Sequence, residues 1–160
     1  MRKIVGLFVL LFSMQGIAQT TLPNIELKNM DGKKVLISDY AKKDNPVIIS
    51  FWATWCGPCL KELNAINDVY SDWQKETGVE LVAVSIDDAK TSKRVKPLVK
   101  GKNWEYEILM DDNQALKRAM NVANVPFTIV VYKGKIVYKH LSYAPGVEKE
   151  MYAKIKSLVK

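Results

Sequence analysis

The stretch Pro46-Val-Ile-Ile-Ser-Phe-Trp-Ala-Thr-Trp-Cys-Gly-Pro-Cys-Leu-Lys-Glu-Leu63 constrains this chain more than any other. Val47 to Trp52 is almost continuously apolar, the pattern of a strand buried on both faces. From Pro58 to Thr77 the apolar positions Leu63, Ile66, Tyr70 and Trp73 recur at helical spacing, and Gly78 is a helix stop. Between strand and helix lie Cys56 and Cys59, the only cysteines in 160 residues. A thiol at a helix mouth gains free backbone amides and the positive end of the helix dipole, both of which favour its anion. Cys59, one turn further in, is close enough to attack a mixed disulfide formed on Cys56. Gly57 keeps the backbone approachable, and Pro58 loses nothing at an early helix position. The spacing is that of a redox pair.

Blander roles for the two cysteines fit less well. A structural zinc site needs about four nitrogen or sulfur ligands, and the one histidine, His140, lies far along the chain. A purely structural disulfide gains little from so small a loop. Inert buried thiols need no Trp-Cys-Gly-Pro-Cys setting.

Phe51-Trp52-Ala53-Thr54-Trp55-Cys56-Gly57-Pro58-Cys59 resembles the active-site segment of the thioredoxin superfamily, and Glu62 is similar to a residue of its exported TlpA/ResA/CcmG-like reductases. Later landmarks extend the resemblance over most of residues 20–160. It implies an α/β thioredoxin fold: a central mixed sheet flanked by helices, with an N-terminal β-hairpin and a helix–strand insertion. No cofactor and no metal are implied.

Met1-Arg2-Lys3, the apolar run from Ile4 to Met14 and the small residues Gly16-Ile17-Ala18 form a secretory leader pattern, with cleavage expected after Ala18. As an uncleaved helical anchor, Ile4 to Ala18 would reach only about 22 Å of a ~30 Å hydrocarbon core. The expected organisation is a signal peptide over 1–18 and one domain over 19–160, periplasmic or otherwise exported. The formal charge of +7 includes Arg2 and Lys3; beyond the leader, 22 lysines and arginines face 17 acids. They are spread along the chain with no basic aromatic stripe, so nucleic acid is not an expected partner.

Further along, Ile25 to Leu27 and Lys34 to Leu36 flank the Asp31-Gly32 hairpin signal, and Ser38 and Asp39 can cap a short helical turn. Leu81 to Ile86 is a second buried strand. Lys90 to Lys100 has the pattern of an exposed basic helix, and Glu105 to Leu109 of a short strand. Asp111-Asp112-Asn113 can cap a helix over Gln114 to Met120. Phe127 to Tyr132 and Lys135 to His140 form a hairpin across Lys133-Gly134, and Val147 to Val159 closes the chain as an amphipathic helix.

At about 100° per residue, Glu62 falls roughly 60° from the centre of the apolar helix face. That leaves it partly shielded, where the bland alternative is a solvated boundary glutamate. The resemblance implies that Val125-Pro126 is a cis bond packed against the disulfide, with Val125 backbone groups and Trp55 meeting the substrate. Phe127 stands where the superfamily prefers small or hydroxyl residues. Ser50 stands where thioredoxin carries a buried aspartate, so the proton-handling role passes to Glu62, which can accept the Cys59 proton. His140 is expected to be surface or core filler.

The implied activity is thiol–disulfide exchange: Cys56 attacks a substrate disulfide and Cys59 resolves it, with Glu62 as the base. The implied partners are disulfide-containing exported proteins, apocytochrome c among them, and a membrane thiol electron donor. Gly57-Pro58 adds no charge between the cysteines, which favours a reductant over an oxidant. A thiol peroxidase of the same fold and a non-catalytic binding module are the alternatives.

Overall fold

The computed structural model describes residues 21–159. The leader expected over 1–18 lies outside the described residues. Asp31-Gly32 makes its turn: β1 (Glu26–Asn29) and β2 (Lys34–Leu36) pair antiparallel, Leu27 opposite Val35. Gly32 takes φ +81°, a conformation that costs glycine little. A 3-10 helix over Ile37–Lys42 follows, without the expected cap. Ser38 instead bonds Asn24 and Asp39 holds Lys42, while burial of Ile37 and Tyr40 fixes the turn.

β3 (Val47–Trp52) is buried at every position and feeds α1 (Gly57–Thr77). β4 (Glu80–Ser85) returns parallel to β3. α2 (Val95–Lys102) and β5 (Glu107–Met110) make a second parallel crossover. α3 (Ala115–Ala119) leads to β6 (Phe127–Tyr132), β7 (Lys135–Leu141) and finally α4 (Val147–Leu158). The sheet order is β2-β1-β5-β4-β3-β6-β7, so β3 lies well inside the sheet. The expected mixed sheet is present, with the α2–β5 unit joining the N-terminal hairpin to it.

The helix expected over Lys90 to Lys100 starts later, behind a 3-10 turn at Ser92–Arg94. Pro97 explains the shift, because proline is tolerated only in the first turn of a helix. Nor is α2 wholly exposed: Val95 and Val99, one turn apart, are buried against the core. The helix over Gln114 to Met120 contracts to Ala115–Ala119, with Asp111 accepting from the amides of Leu116 and Lys117.

α1 is the best-anchored helix. Leu63, Ile66, Tyr70 and Trp73 are all buried, each contributing about 1.5–3 kcal/mol by transfer from water. The Tyr70 hydroxyl accepts from the Leu81 amide at 2.8 Å, and Trp73 stacks on Tyr152 of α4 with ring centroids 4.4 Å apart. Gly78 ends the helix in the left-handed conformation, φ +68°, with its amide on Gln74 O. These contacts fix where the amino end of α1 points. Among the described residues no helix is long and apolar enough to cross a membrane.

Candidate active site

Cys56 is the residue that precedes α1, with extended backbone angles, and it is joined to Cys59 by a disulfide with Cα atoms 5.3 Å apart. Its Sγ accepts from the Cys59 amide at 3.3 Å, one of the helix's orphan donors. No acid lies in the first turn of α1, so nothing there offsets the helix dipole. The two sulfurs are unequal: Cys56 is 5% exposed and Cys59 fully buried. Only Cys56 offers an edge to an incoming disulfide.

The turn into this position is held from behind. Asp87, fully buried just past β4, accepts from the Thr54 amide at 2.8 Å, the Thr54 hydroxyl at 2.6 Å and the Ser85 hydroxyl at 2.9 Å. Three donors in place of water offset the cost of burying this carboxylate. They also fix Thr54, and with it Trp55, in front of Cys56. Nothing in the local pattern Ser85-Ile86-Asp87-Asp88 separates this role from that of a surface acid, so Asp87 escaped the sequence reading.

Val125-Pro126 is a cis peptide bond. Phe51 lies opposite Phe127 in the β3–β6 register, which brings Pro126 level with Trp52, where β3 gives way to the cysteine turn. Pro126 is buried and Val125 half-buried. Trp55 is 59% exposed, and Leu141, opposite Phe127 on β7, is 63% exposed. This end of the sheet therefore carries an apolar rim.

Beneath the disulfide lies a polar row. Ser50, Thr128 and His140 are register partners across β3, β6 and β7, and Glu62 reaches them from α1. Glu62 is 1% exposed, so shielding is complete where the helical wheel implied only part. Its Oε1 lies 2.6 Å from the Thr128 hydroxyl and 3.1 Å from His140 Nε2. Thr128 has one hydroxyl hydrogen, and the short contact to a carboxylate claims it. Ser50 must then donate to Thr128 across their 2.9 Å separation. Glu62 and Cys59, three residues apart on one helix, are neighbours at about 5–6 Å between Cβ atoms.

His140 is thus no filler, and that expectation is corrected. Its side chain is only 11% exposed, directed at Glu62. The signal was alternation along the end of β7: Tyr138 and His140 turn inward, while Lys139 and Leu141 turn outward. The surrounding tyrosines register the same carboxylate. Burial, then Glu150 and Glu62, holds the Tyr138 phenol above its ordinary range. Burial, Glu148 and Glu62 do the same to Tyr143.

A mixed sheet whose inner strand runs into a Cys-Gly-Pro-Cys helix mouth beside a cis-proline is a thioredoxin-like fold. The solution structure of a thioredoxin-like protein from Porphyromonas gingivalis matches it with a TM-score of 0.76 at 51% identity, covering 86% of this chain and 91% of that one. A model of the AhpC/TSA family matches residues 18–140, and the chain belongs to that family. Thiol-disulfide oxidoreductase ResA of Bacillus cereus is 32% identical over 118 residues, which are 73% of this chain and 65% of that protein. Its namesake in Bacillus thuringiensis (strain Al Hakam) is 31% identical over 133 residues, 82% of this chain and 74% of that protein. The chain therefore spans just under two thirds of the B. cereus relative's length.

Proposed function

We propose that this protein is a thiol–disulfide oxidoreductase that reduces disulfides of exported proteins. The carrying observation is the unequal sulfur pair at the amino end of α1: Cys56, still 5% exposed, on a backbone amide, and Cys59 fully buried. In the dithiol state the Cys56 thiolate attacks a substrate disulfide, forming a Cys56–substrate bond and expelling one substrate thiolate. Cys59 gives up its proton to Glu62 and attacks Cys56 Sγ. The Cys56–Cys59 bond forms and the second substrate thiolate leaves, so the substrate gains two electrons and the protein loses them. Trp55, Val125 and Pro126 form the docking rim, with Val125 backbone groups facing an extended substrate segment.

Export follows from the leader pattern over 1–18, with 19–160 as the mature domain. In an oxidising compartment the pair needs a membrane thiol donor to return to the dithiol. Apocytochrome c haem-attachment cysteines are one substrate of the right chemistry. The ResA name of the relatives supports the exchange reading.

The test is insulin-disulfide reduction driven by dithiothreitol. The folded protein accelerates precipitation of the insulin B chain well beyond dithiothreitol alone. No acceleration, or rapid peroxide consumption in its place, contradicts the proposal and favours the peroxidase alternative. A pair with no measurable dithiol–disulfide equilibrium would leave only a binding module.

A further inference from the structure

Among the described residues, three buried side-chain nitrogen or oxygen atoms have no hydrogen-bond partner: Trp52 Nε1, Glu62 Oε2 and His140 Nδ1. Two of the three belong to one contact, the 3.1 Å approach of His140 Nε2 to Glu62 Oε1. Among the described residues no lysine or arginine pairs with Glu62, so the imidazole is the one side chain against it that is able to take up a positive charge. A fully buried carboxylate without a cation is expensive, and a coupled partner relieves that cost by taking up charge itself. Thr128 donates its hydroxyl hydrogen to the same oxygen but brings no charge of its own.

We propose that His140 is a positioning residue that acts through Glu62: the carboxylate and the imidazole together hold the proton released by Cys59 during resolution. This rests on the exchange reading above. The balance is simple. The Cys59 S–H bond breaks and its proton goes to the Glu62–His140 pair, for which Oε2 and Nδ1 are the open positions. The sulfur's electron pair makes the Cys56–Cys59 bond, and the Cys56–substrate bond breaks with its electrons on the departing thiolate. The pair then holds that proton as a unit, and it belongs to neither residue alone.

The groups around this pair come from several elements: Ser50 on β3, Thr128 on β6 and Tyr138 on β7, whose ring centroid lies 5.7 Å from that of His140, with Cys59 three residues before Glu62 on α1. Tyr143 feels Glu62 and Glu148, and Tyr138 feels Glu62 and Glu150. Both phenols stay neutral where imidazole titrates, their ionisation being held above the ordinary range. Of the side chains against Glu62, His140 is the one imidazole.

The probe is dithiobis-nitrobenzoate, which releases one coloured thiolate when Cys56 attacks and a second when Cys59 resolves. His140→Gln keeps a donor toward Glu62 but cannot titrate. The ratio of wild-type to His140→Gln resolution rates is expected near 1 at about pH 5.5, where the pair already holds its proton, rising to about tenfold at pH 8. In a Glu62→Gln background the His140 substitution has no further effect. On unmodified protein, the His140 imidazole titration followed by NMR is expected to differ between dithiol and disulfide forms. A ratio constant with pH, an undiminished effect without Glu62, or identical titrations in the two redox forms would each overturn the proposal. Loss of both coloured phases in the wild-type protein would instead mean that the exchange reading itself has failed.

Discussion

Cys59→Ser protein, reduced and mixed with a disulfide-bonded substrate, is expected to accumulate a covalent one-to-one adduct through Cys56 and to stop turning over. The attacking sulfur keeps all its support in this variant. Its helix-mouth position and the residue-59 amide are untouched, and so are the Asp87 contacts that set the turn. Only the resolving sulfur is gone. Serine at position 59 offers a hydroxyl that cannot displace the substrate, so the mixed disulfide has no internal exit. Steady-state insulin reduction falls to the dithiothreitol background, and mass spectrometry finds the adduct on Cys56. The mirror variant, Cys56→Ser, forms little adduct because the remaining thiol is fully buried. Trapping through Cys59 in that variant at a comparable rate would reverse the two roles.

Glu62→Gln is expected to slow resolution on the order of 10²-fold at pH 7, the low end of what a positioned general base contributes. That corresponds to about 2.7 kcal/mol on the barrier. The first step, attack by Cys56, is expected to be unchanged, because the helix mouth does not depend on Glu62. Stability is expected to hold or rise. A glutamine amide can accept from Thr128 as the carboxylate does, and it removes the cost of burying a charge. The two phases of thiolate release separate these effects in one trace. An equal slowing of both phases would point to a general distortion of the site.

Much of this architecture was readable in advance because it is local. β3 announces itself by an unbroken apolar run, α1 by helical spacing closed with Gly78, and the hairpins by Asp31-Gly32 and Lys133-Gly134. The cysteine pair and its helix mouth lie within four residues. What escaped is what depends on register between distant strands. Glu62 and His140 are 78 residues apart and meet only because Ser50, Thr128 and His140 fall in one row across β3, β6 and β7. Asp87 is 33 residues from the Thr54 amide it holds. A helical wheel placed Glu62 near the apolar face, yet no single-helix geometry can show that a sheet closes over it. The late start of α2 belongs to a different class. Pro97 was in plain view, and its restriction to a first turn already excluded a helix starting at Lys90.

The claim on which everything else depends is that the amino end of α1 makes Cys56 an anion at neutral pH while Cys59 stays protonated. The most direct measurement is the rate of iodoacetamide alkylation of the reduced protein against pH, with the modified cysteine identified by mass spectrometry. The expected profile shows Cys56 reacting first, with a midpoint at or below about 7, well under the free-thiol value of about 8.5. A midpoint at or above that value, or first modification at Cys59, would contradict it.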